Sequence, residues 1–247
     1  MNPSISDRRL AENAGPKQPQ IAAQLGRFVP LAGAGSAVLT VSGYLVIGPN
    51  PDSGASTSTI AAYYSAHHAH IFVAGILLMY STILFALFGV AIWDRIRRTA
   101  LHPIVAGAVL VATAVATASN LANASAWYVL GNIGNTHTIS PGTLQTLHLA
   151  VSAGDLPSVS GVGILLLGFA SAGILTRAFP RWLAWSALVL GIVQLTPTPR
   201  LLGFFAGLAV LLWMFAASIA MFLRADPVRA AVHDSSTAIA SPVLSRN

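Results

Sequence analysis

Apolar runs of membrane length recur along this chain, and they restrict it to one structural class. A helix needs about 20 apolar residues to cross a hydrocarbon core of about 30 Å. Only 8% of the residues are charged and 55% are hydrophobic, whereas about a quarter of a soluble domain is charged. The sequence therefore predicts an all-α, polytopic membrane protein whose bundle has six transmembrane helices. These spans are expected at about 29–48, 69–93, 103–129, 157–176, 182–196 and 201–223.

The positions of the basic residues predict which side each loop occupies. Of the 13 Lys and Arg residues, all but Arg200 fall on one predicted side. Cytoplasmic loops carry an excess of Lys and Arg, so both termini are predicted to be cytoplasmic and the protein to lie in the cell membrane. The net charge of +6 then reports topology, and no nucleic-acid partner is expected. The basic residues on the cytoplasmic side are Arg8, Arg9, Lys17, Arg27, Arg95, Arg97, Arg98, Arg177, Arg181, Arg224, Arg229 and Arg246.

Three regions follow from this pattern. The polar segments 1–28 and 225–247 are predicted to be disordered cytoplasmic tails, because they lack a sustained apolar face. Between them, 29–224 is predicted to form the six-span membrane domain, with the lipid bilayer as its partner.

The fourth apolar segment is too long for one span and carries a helix-breaking residue. Pro157 removes a helix hydrogen bond and disfavours helix in the residue before it. We expect a short interfacial helix at 143–153, a break at Gly154–Pro157 and a span at 157–176. Eleven residues are too few to cross the membrane separately. The fourth helix is thus predicted to be broken, with Asp155 at the break.

Polar residues concentrate in the predicted outer half of the membrane domain, and the inner half is almost wholly apolar. An aqueous channel would need a polar lining along its full depth. The asymmetry favours a pocket that opens to the extracytoplasmic side and binds or moves a small molecule, a proton or a cation. The polar residues of the outer half are His67, His68, His70, Asn120, Asn123, Trp127, His148, Asp155 and Gln194.

Asp155 has two interpretations. Acidic groups within a membrane are costly, and they are usually paired or line a cavity. Asp155 is therefore a candidate proton acceptor or cation ligand, with His148, His67 or His70 as its partner. Alternatively it lies at the interface and caps the helix that begins at Pro157.

The histidines also admit a redox or metal-binding function. His67 and His70 are three residues apart and can share a helix face. With His148 and Asp155 they are candidate ligands for Zn²⁺ or another divalent ion, and His70 with His148 is a candidate pair for one haem. They are equally typical of an interfacial belt beside Tyr63 and Tyr64, and the sequence requires no cofactor.

No catalytic residue is predicted, and the chain is more typical of a non-enzymatic protein. Ser158-Val-Ser-Gly161 is close to the intramembrane serine-protease pattern GxSG, but its first position is Ser. The sixth span contains no histidine to act as the base. Cysteine is absent, which excludes disulfides and thiolate chemistry.

The sixth span contains a GxxxG pattern at Gly203 and Gly207. This spacing favours close helix packing, either within the chain or between chains. It predicts a possible homo-oligomer and supports a third hypothesis, a structural or assembly protein without a ligand.

Three motifs carry a resemblance to other proteins. They are YYSAHHAHIFVAG at the start of the second span, WDRIRR at its end and FPRWLAWSALVLGIVQL around the fifth. Over about residues 29–224 this pattern resembles a broad group of small uncharacterised bacterial six-span membrane proteins. The resemblance implies the architecture and carries no assigned activity.

Overall fold

The protein is all-α, with seven helices among the residues that its structure describes. The structure is a computed structural model. It describes residues 28–52, 54–99, 101–134, 139–153, 156–196 and 200–224, and at 152, 153, 156, 200 and 201 it describes the backbone alone. The helices are α1 (Ala32–Ile47), α2 (Thr57–Arg97), α3 (Pro103–Ile133), α4 (Pro141–Ala153), α5 (Leu156–Thr176), α6 (Arg181–Leu195) and α7 (Arg200–Leu223). A 3₁₀ turn at Val29–Leu31 leads into α1.

Five of these helices are long and apolar enough to cross a membrane. They are Val29–Ile47, Thr57–Arg97, Pro103–Ile133, Pro157–Thr176 and Leu202–Leu223. The apolar α6 has 15 residues, and at about 1.5 Å per residue it is about 22 Å long. The predicted membrane class is thus supported by length and composition.

Neighbouring helices are antiparallel and approach closely through glycines. Gly75 of α2 contacts Tyr128 of α3, whereas Gly89, later in α2, contacts Thr113, earlier in α3. A Cβ built at Gly75 would lie 2.6 Å from the Tyr128 amide nitrogen, so only glycine permits this approach. The same antiparallel order joins α1 to α2, α3 to α5 and α5 to α6. Small residues serve this purpose in membrane bundles because packing drives their association.

Two apolar clusters hold the helices together. The larger one gathers the buried side chains of α2, α3, α5, α6 and α7 around Phe169. Phe169 stacks on Phe179 with ring centroids 3.8 Å apart and meets Trp213 edge-on at 4.7 Å. The indole of Trp213 donates a 3.1 Å hydrogen bond to the Leu183 carbonyl, which satisfies its buried N–H. The smaller cluster contains Ile60, Tyr64, Trp127, Leu144 and Val151.

The two clusters mark the two ends of the bundle. Arg95, near the end of α2, lies 5.5 Å from the ring centroid of Phe179 in the α5–α6 connection. Asp94 pairs with both Arg97 and Arg98 at 2.6 Å. We call this the arginine end. The opposite end, where α2 begins and α4 packs, is called the histidine end.

A polar contact joins α1 to α2 in addition to the apolar packing. The Ser81 hydroxyl donates to the Ser36 carbonyl at 2.9 Å and lies 2.6 Å from the Thr40 hydroxyl. Both serines are buried. Ser81 was not among the candidate residues of the sequence, and its role here is to link two helices.

Helix α2 starts well before the predicted span at 69–93. Ser56 caps it by accepting from the Thr59 amide at 3.2 Å, and no proline interrupts the next 41 residues. The histidines at 67, 68 and 70 therefore lie within one continuous helix that includes the span. Helix α3 likewise extends to Ile133, beyond the predicted 129.

The predicted break in the fourth helix falls at the limit of the described residues. Helix α4 ends at Ala153 and α5 begins at Leu156, in agreement with the two predicted helices. Gly154 and Asp155 between them lie outside the described residues, so the break itself stays a prediction. The predicted tails also lie outside them, apart from Phe28.

Candidate functional site

The short helix α4 is attached to the beginning of α2 by two side-chain hydrogen bonds. The Thr57 hydroxyl donates to Gln145 Oε1 at 2.6 Å. Further along both helices, the Tyr64 hydroxyl lies 2.9 Å from His148 Nδ1. Both Tyr64 and His148 have 0% of their surface exposed. Because hydrogen bonds within an enclosed site have no water to replace them, this pair fixes the position of α4.

Burial determines the charge state of His148. Removal from water disfavours the imidazolium and lowers the pKa of His148 below its ordinary value of 6.5, while a hydrogen bond with the Pro51 backbone opposes this shift. The ring is therefore neutral at pH 7. A neutral imidazole has one donor and one acceptor nitrogen, so it can exchange a proton or polarise a bound group without carrying a permanent charge.

Helix α3 contacts both α4 and α5 through two asparagines at the same end. Asn123 donates from Nδ2 to the Val151 carbonyl at 3.0 Å. Asn120 accepts from the Ser158 hydroxyl at 2.7 Å through its Oδ1. Both amides are half-buried, so they act as interhelical hydrogen-bonding groups, one of the two roles open to them from sequence.

An open cleft lies beside Asn123, between α3 and α4. Its volume is about 230 Å³. Half of its lining residues are alanine, and one amide and one hydroxyl are its polar groups. The lining residues are Ser119, Ala122, Asn123, Ala126, Ala150 and Val151. Small-molecule sites are commonly mostly apolar in this way, with a few polar groups that fix the orientation of the ligand.

Trp127 is 5% exposed and belongs to the apolar cluster of the histidine end. Its position next to Leu144 and Val151 of α4 makes it part of the surface on which α4 packs. The structure thus places this predicted site residue in the wall of the region and gives it a packing role.

The histidines of α2 lie elsewhere. His67 and His70 are exposed and His68 is half-exposed, and the ring centroids of His67 and His70 are 6.4 Å apart. His148, by contrast, contacts Tyr64 from inside the bundle. The sequence grouped His67, His70 and His148 into one site, whereas the structure separates an exposed pair from a buried ring.

The predicted metal and haem ligands do not all lie within the described residues. No three His, Cys, Asp or Glu side chains of the described ranges are grouped closely enough to hold a metal ion. Asp155 lies outside those ranges, so the predicted ligand set that includes it stays a prediction. The haem pair His70 and His148 would need an exposed ring and a fully enclosed ring to face one iron.

Sequence reasoning missed four residues that build this region: Thr57, Tyr64, Gln145 and Ser158. Tyr64 had been assigned to an interfacial aromatic belt. The spacing of Ile60, Tyr64 and Ile71 by four and seven residues was the available signal, since it places Tyr64 on the buried face of α2. Gln145 and Ser158 depend on contacts between distant segments, for which a single sequence gives no signal.

Gly207 of the GxxxG pattern is open in the structure. A Cβ built at Gly207 meets no described atom within 4 Å, so this glycine does not mediate helix packing among the described residues. The large side chains around it on α7, Phe204 and Leu208, are 68% and 41% exposed.

Comparison with known proteins adds no relative: no protein-family model matches the chain, and neither the curated proteins nor the solved structures contain a match.

Proposed function

We propose that this chain is a six-span membrane protein with its histidine end on the extracytoplasmic side. Five helices meet the length for crossing, and the sixth crossing is α6. Gly163 of α5 contacts Gly191 of α6, and Gly173 contacts Ala184, so α6 lies alongside most of α5. Trp182 and Trp185 at its start are 61% and 56% exposed, which is typical of a helix anchored at an interface.

The arrangement of the charges supports this orientation. Arg95 meets the α5–α6 connection at the arginine end, and Arg177 and Arg181 flank that connection in the sequence. A cluster of arginines at one end marks the cytoplasmic side. The histidine end then faces the opposite compartment.

We further propose that the histidine end binds or moves a small molecule, a proton or a cation. The observation that carries this proposal is that Asn123 lines the cleft between α3 and α4, while Asn120 binds Ser158 of α5 and His148 of α4 binds Tyr64 of α2 at the same end of the bundle. The opposite end of the bundle is filled by aromatic and aliphatic side chains. A binding pocket needs a polar site that is closed on one side, whereas a continuous channel needs a polar lining along its full depth.

Asp155 is the proposed charged group of this site. It follows α4 and precedes α5 in the sequence, next to the helices that carry His148 and Ser158. A carboxylate contributes negative charge, so a site that includes it would favour a proton or a small cationic ligand over an anion.

The chain contains no cysteine, so single cysteines test whether the cleft is open to water. Ala122 and Ala126 line the cleft. Leu121 is 40% exposed and does not line it, and it lies at almost the depth of Ala122. We expect Ala122→Cys and Ala126→Cys to react with a permanently charged methanethiosulfonate reagent added from the extracytoplasmic side. Leu121→Cys, facing lipid, should react at least about tenfold more slowly, since thiolates form only in water.

Equal protection of all three cysteines would show that the cleft is dry, and the binding proposal would then be wrong. If the cleft cysteines react, Asp155→Asn is the second test. In Asp155→Asn, the labelling rate of these cysteines should depend on pH only through ionisation of the thiol itself. If the carboxylate only caps α5, the substitution should leave the pH dependence of labelling unchanged.

An assembly function is the second candidate, and the open surface at Gly207 favours it. An unfilled glycine flanked by exposed Phe204 and Leu208 permits close approach of another helix. Native mass spectrometry of the wild type should then show an oligomer that Gly207→Ile disrupts. A monomeric wild type would refute the assembly function.

A further inference from the structure

Two histidines of α2 share an exposed face outside the cleft region. His67 and His70 are one turn apart, both exposed, with ring centroids separated by 6.4 Å. His68 is only half-exposed, and successive positions on a helix are about 100° apart, so it points away from the other two.

The ring of His67 is held in the tautomer that binds metals. Its Nδ1 lies 3.0 Å from the Tyr63 carbonyl oxygen. A carbonyl oxygen only accepts, so Nδ1 carries the proton and Nε2 keeps its lone pair. Metal-binding histidines commonly donate their second ring N–H to a backbone carbonyl in this way, which fixes both the tautomer and the ring direction.

Tyr63 also fixes the plane of the His67 ring. The two rings are stacked at 4.8 Å with an angle of 26°. The Tyr63 hydroxyl in turn donates to the Ile47 carbonyl at 2.9 Å, which anchors it to the end of α1. His67 is therefore positioned before any ligand arrives, and such preorganisation reduces the entropy lost on binding.

The separation of the two rings is compatible with one shared ion. With metal–nitrogen bonds of about 2 Å, two imidazoles on a tetrahedral ion have centroids about 5 Å apart. The observed 6.4 Å must shorten by about 1.4 Å. Because the His70 side chain is exposed, we expect its rotation to supply this change.

The length of α2 places this pair in water. At about 1.5 Å per residue, His70 lies about 36 Å along the helix from Asp94. A hydrocarbon core is about 30 Å thick, and a tilt of about 20° shortens the span only to about 34 Å. With the charged arginine end in water on one side, His67 and His70 emerge on the other.

We propose that His67 and His70 form a binding site for a divalent transition-metal ion, with water in the remaining coordination positions. Imidazole nitrogens suit Cu²⁺, Ni²⁺ and Zn²⁺, and a site with no imposed geometry follows the general affinity order, in which Cu²⁺ binds most tightly. The site excludes His148 and Asp155, and it is separate from the cleft between α3 and α4. Its failure would thus leave the proposed function standing, and the reverse also holds.

Titration of the full-length, tag-free protein with Cu²⁺ in detergent tests this site. Electron paramagnetic resonance should show one bound Cu²⁺ with nitrogen coupling. His67→Gln and His70→Gln should each weaken binding by at least about tenfold, the range typical of lost ligand-shell interactions. His68→Gln and His102→Gln are matched controls, and their affinities should stay close to that of the wild type. The rings of His67 and His70 are exposed, so their replacement should not change the helical circular dichroism.

Two results would overturn the proposal. In one, a His67→Gln/His70→Gln double variant binds Cu²⁺ as tightly as the wild type. In the other, His68→Gln loses as much affinity as His67→Gln, because binding would then depend on the number of histidines and not on the shared face.

Discussion

Removing the Tyr64 hydroxyl should loosen α4 without disturbing the rest of the bundle. Tyr64→Phe deletes one oxygen and keeps the ring, which packs edge-on against Tyr63 and His148 at centroid distances of 5.4 Å and 5.9 Å. The substitution therefore isolates the 2.9 Å hydrogen bond to His148 Nδ1.

The expected cost follows from the burial of His148. Interhelical hydrogen bonds in membrane proteins contribute about 0.6 kcal/mol on average and at most about 1.7. A buried polar group left without its partner costs about 1–3 kcal/mol. Because His148 is 0% exposed, water cannot replace the lost hydroxyl, and we expect about 1–2 kcal/mol. That corresponds to a factor of about 5–30 in the opening equilibrium of α4.

Hydrogen–deuterium exchange measures this opening directly. Helix α4 has 13 residues, a length at which an isolated helix is marginal and depends on tertiary contacts. In Tyr64→Phe the amides of α4 should exchange about 5–30 times faster. The amides of α5 around Phe169, in the larger apolar cluster, should keep their wild-type rates.

Tyr80→Phe is the matched control because Tyr80 is 61% exposed and loses only an exposed hydroxyl. In a double-mutant cycle, His148→Leu combined with Tyr64→Phe should cost less than the sum of the single changes, since both polar partners are then gone. If α4 in Tyr64→Phe exchanges as slowly as in Tyr80→Phe, the hydrogen bond does not hold α4 and the reasoning is refuted.

Three further perturbations test other parts of the structure. Burial lowers the pKa of His148 below 6.5, so the unfolded segment binds a proton more readily than the folded one. The stability that depends on the neutral His148 ring is therefore fully present above pH 6.5. It falls as the pH drops through the folded-state pKa. Exchange of α4, corrected for intrinsic rates, should therefore accelerate below pH 6.5, and His148→Leu should abolish that dependence. Gly75→Ala should destabilise the α2–α3 contact by about 1–3 kcal/mol in thermal unfolding, because the new Cβ would lie 2.6 Å from a backbone nitrogen. The control Gly107→Ala should be neutral, because no described atom lies within 4 Å of the new Cβ. Equal effects of the two substitutions would contradict the close α2–α3 packing. Ser81→Ala should cost about 0.6 kcal/mol by the same assay, and no change would show that its link to α1 is dispensable.

The apolar pattern was sufficient to predict the class and most helix limits. The bounds of α5, α6 and α7 fall within about one residue of the predicted spans, because proline and arginine flank them. The predicted span at 69–93 is shorter than α2, which begins at Thr57, for a physical reason. The stretch after Ser56 is amphipathic and outside the apolar run, yet a serine cap and an uninterrupted helix-forming sequence extend the helix through it.

Sequence reasoning predicted the depth of the polar residues but not their pairings. Asn120, Asn123 and His148 make their hydrogen bonds at the histidine end, and their assignment to one binding site stays a prediction. Their hydrogen-bond partners are Ser158, Val151 and Tyr64, which are 38, 28 and 84 residues away in the sequence. Hydropathy reports depth along a span but not which faces of two helices meet, so these pairings could not be read from one sequence.

The sidedness of the histidine end is tested most directly by labelling one loop residue at each end. Ser140 precedes α4 and Thr99 follows α2, so Ser140→Cys and Thr99→Cys report opposite ends of the bundle. In sealed right-side-out vesicles a membrane-impermeant maleimide should label Ser140→Cys and leave Thr99→Cys unlabelled until the membrane is opened. Labelling of Thr99→Cys from outside, or of both cysteines, would contradict an extracytoplasmic histidine end and with it the proposed binding site.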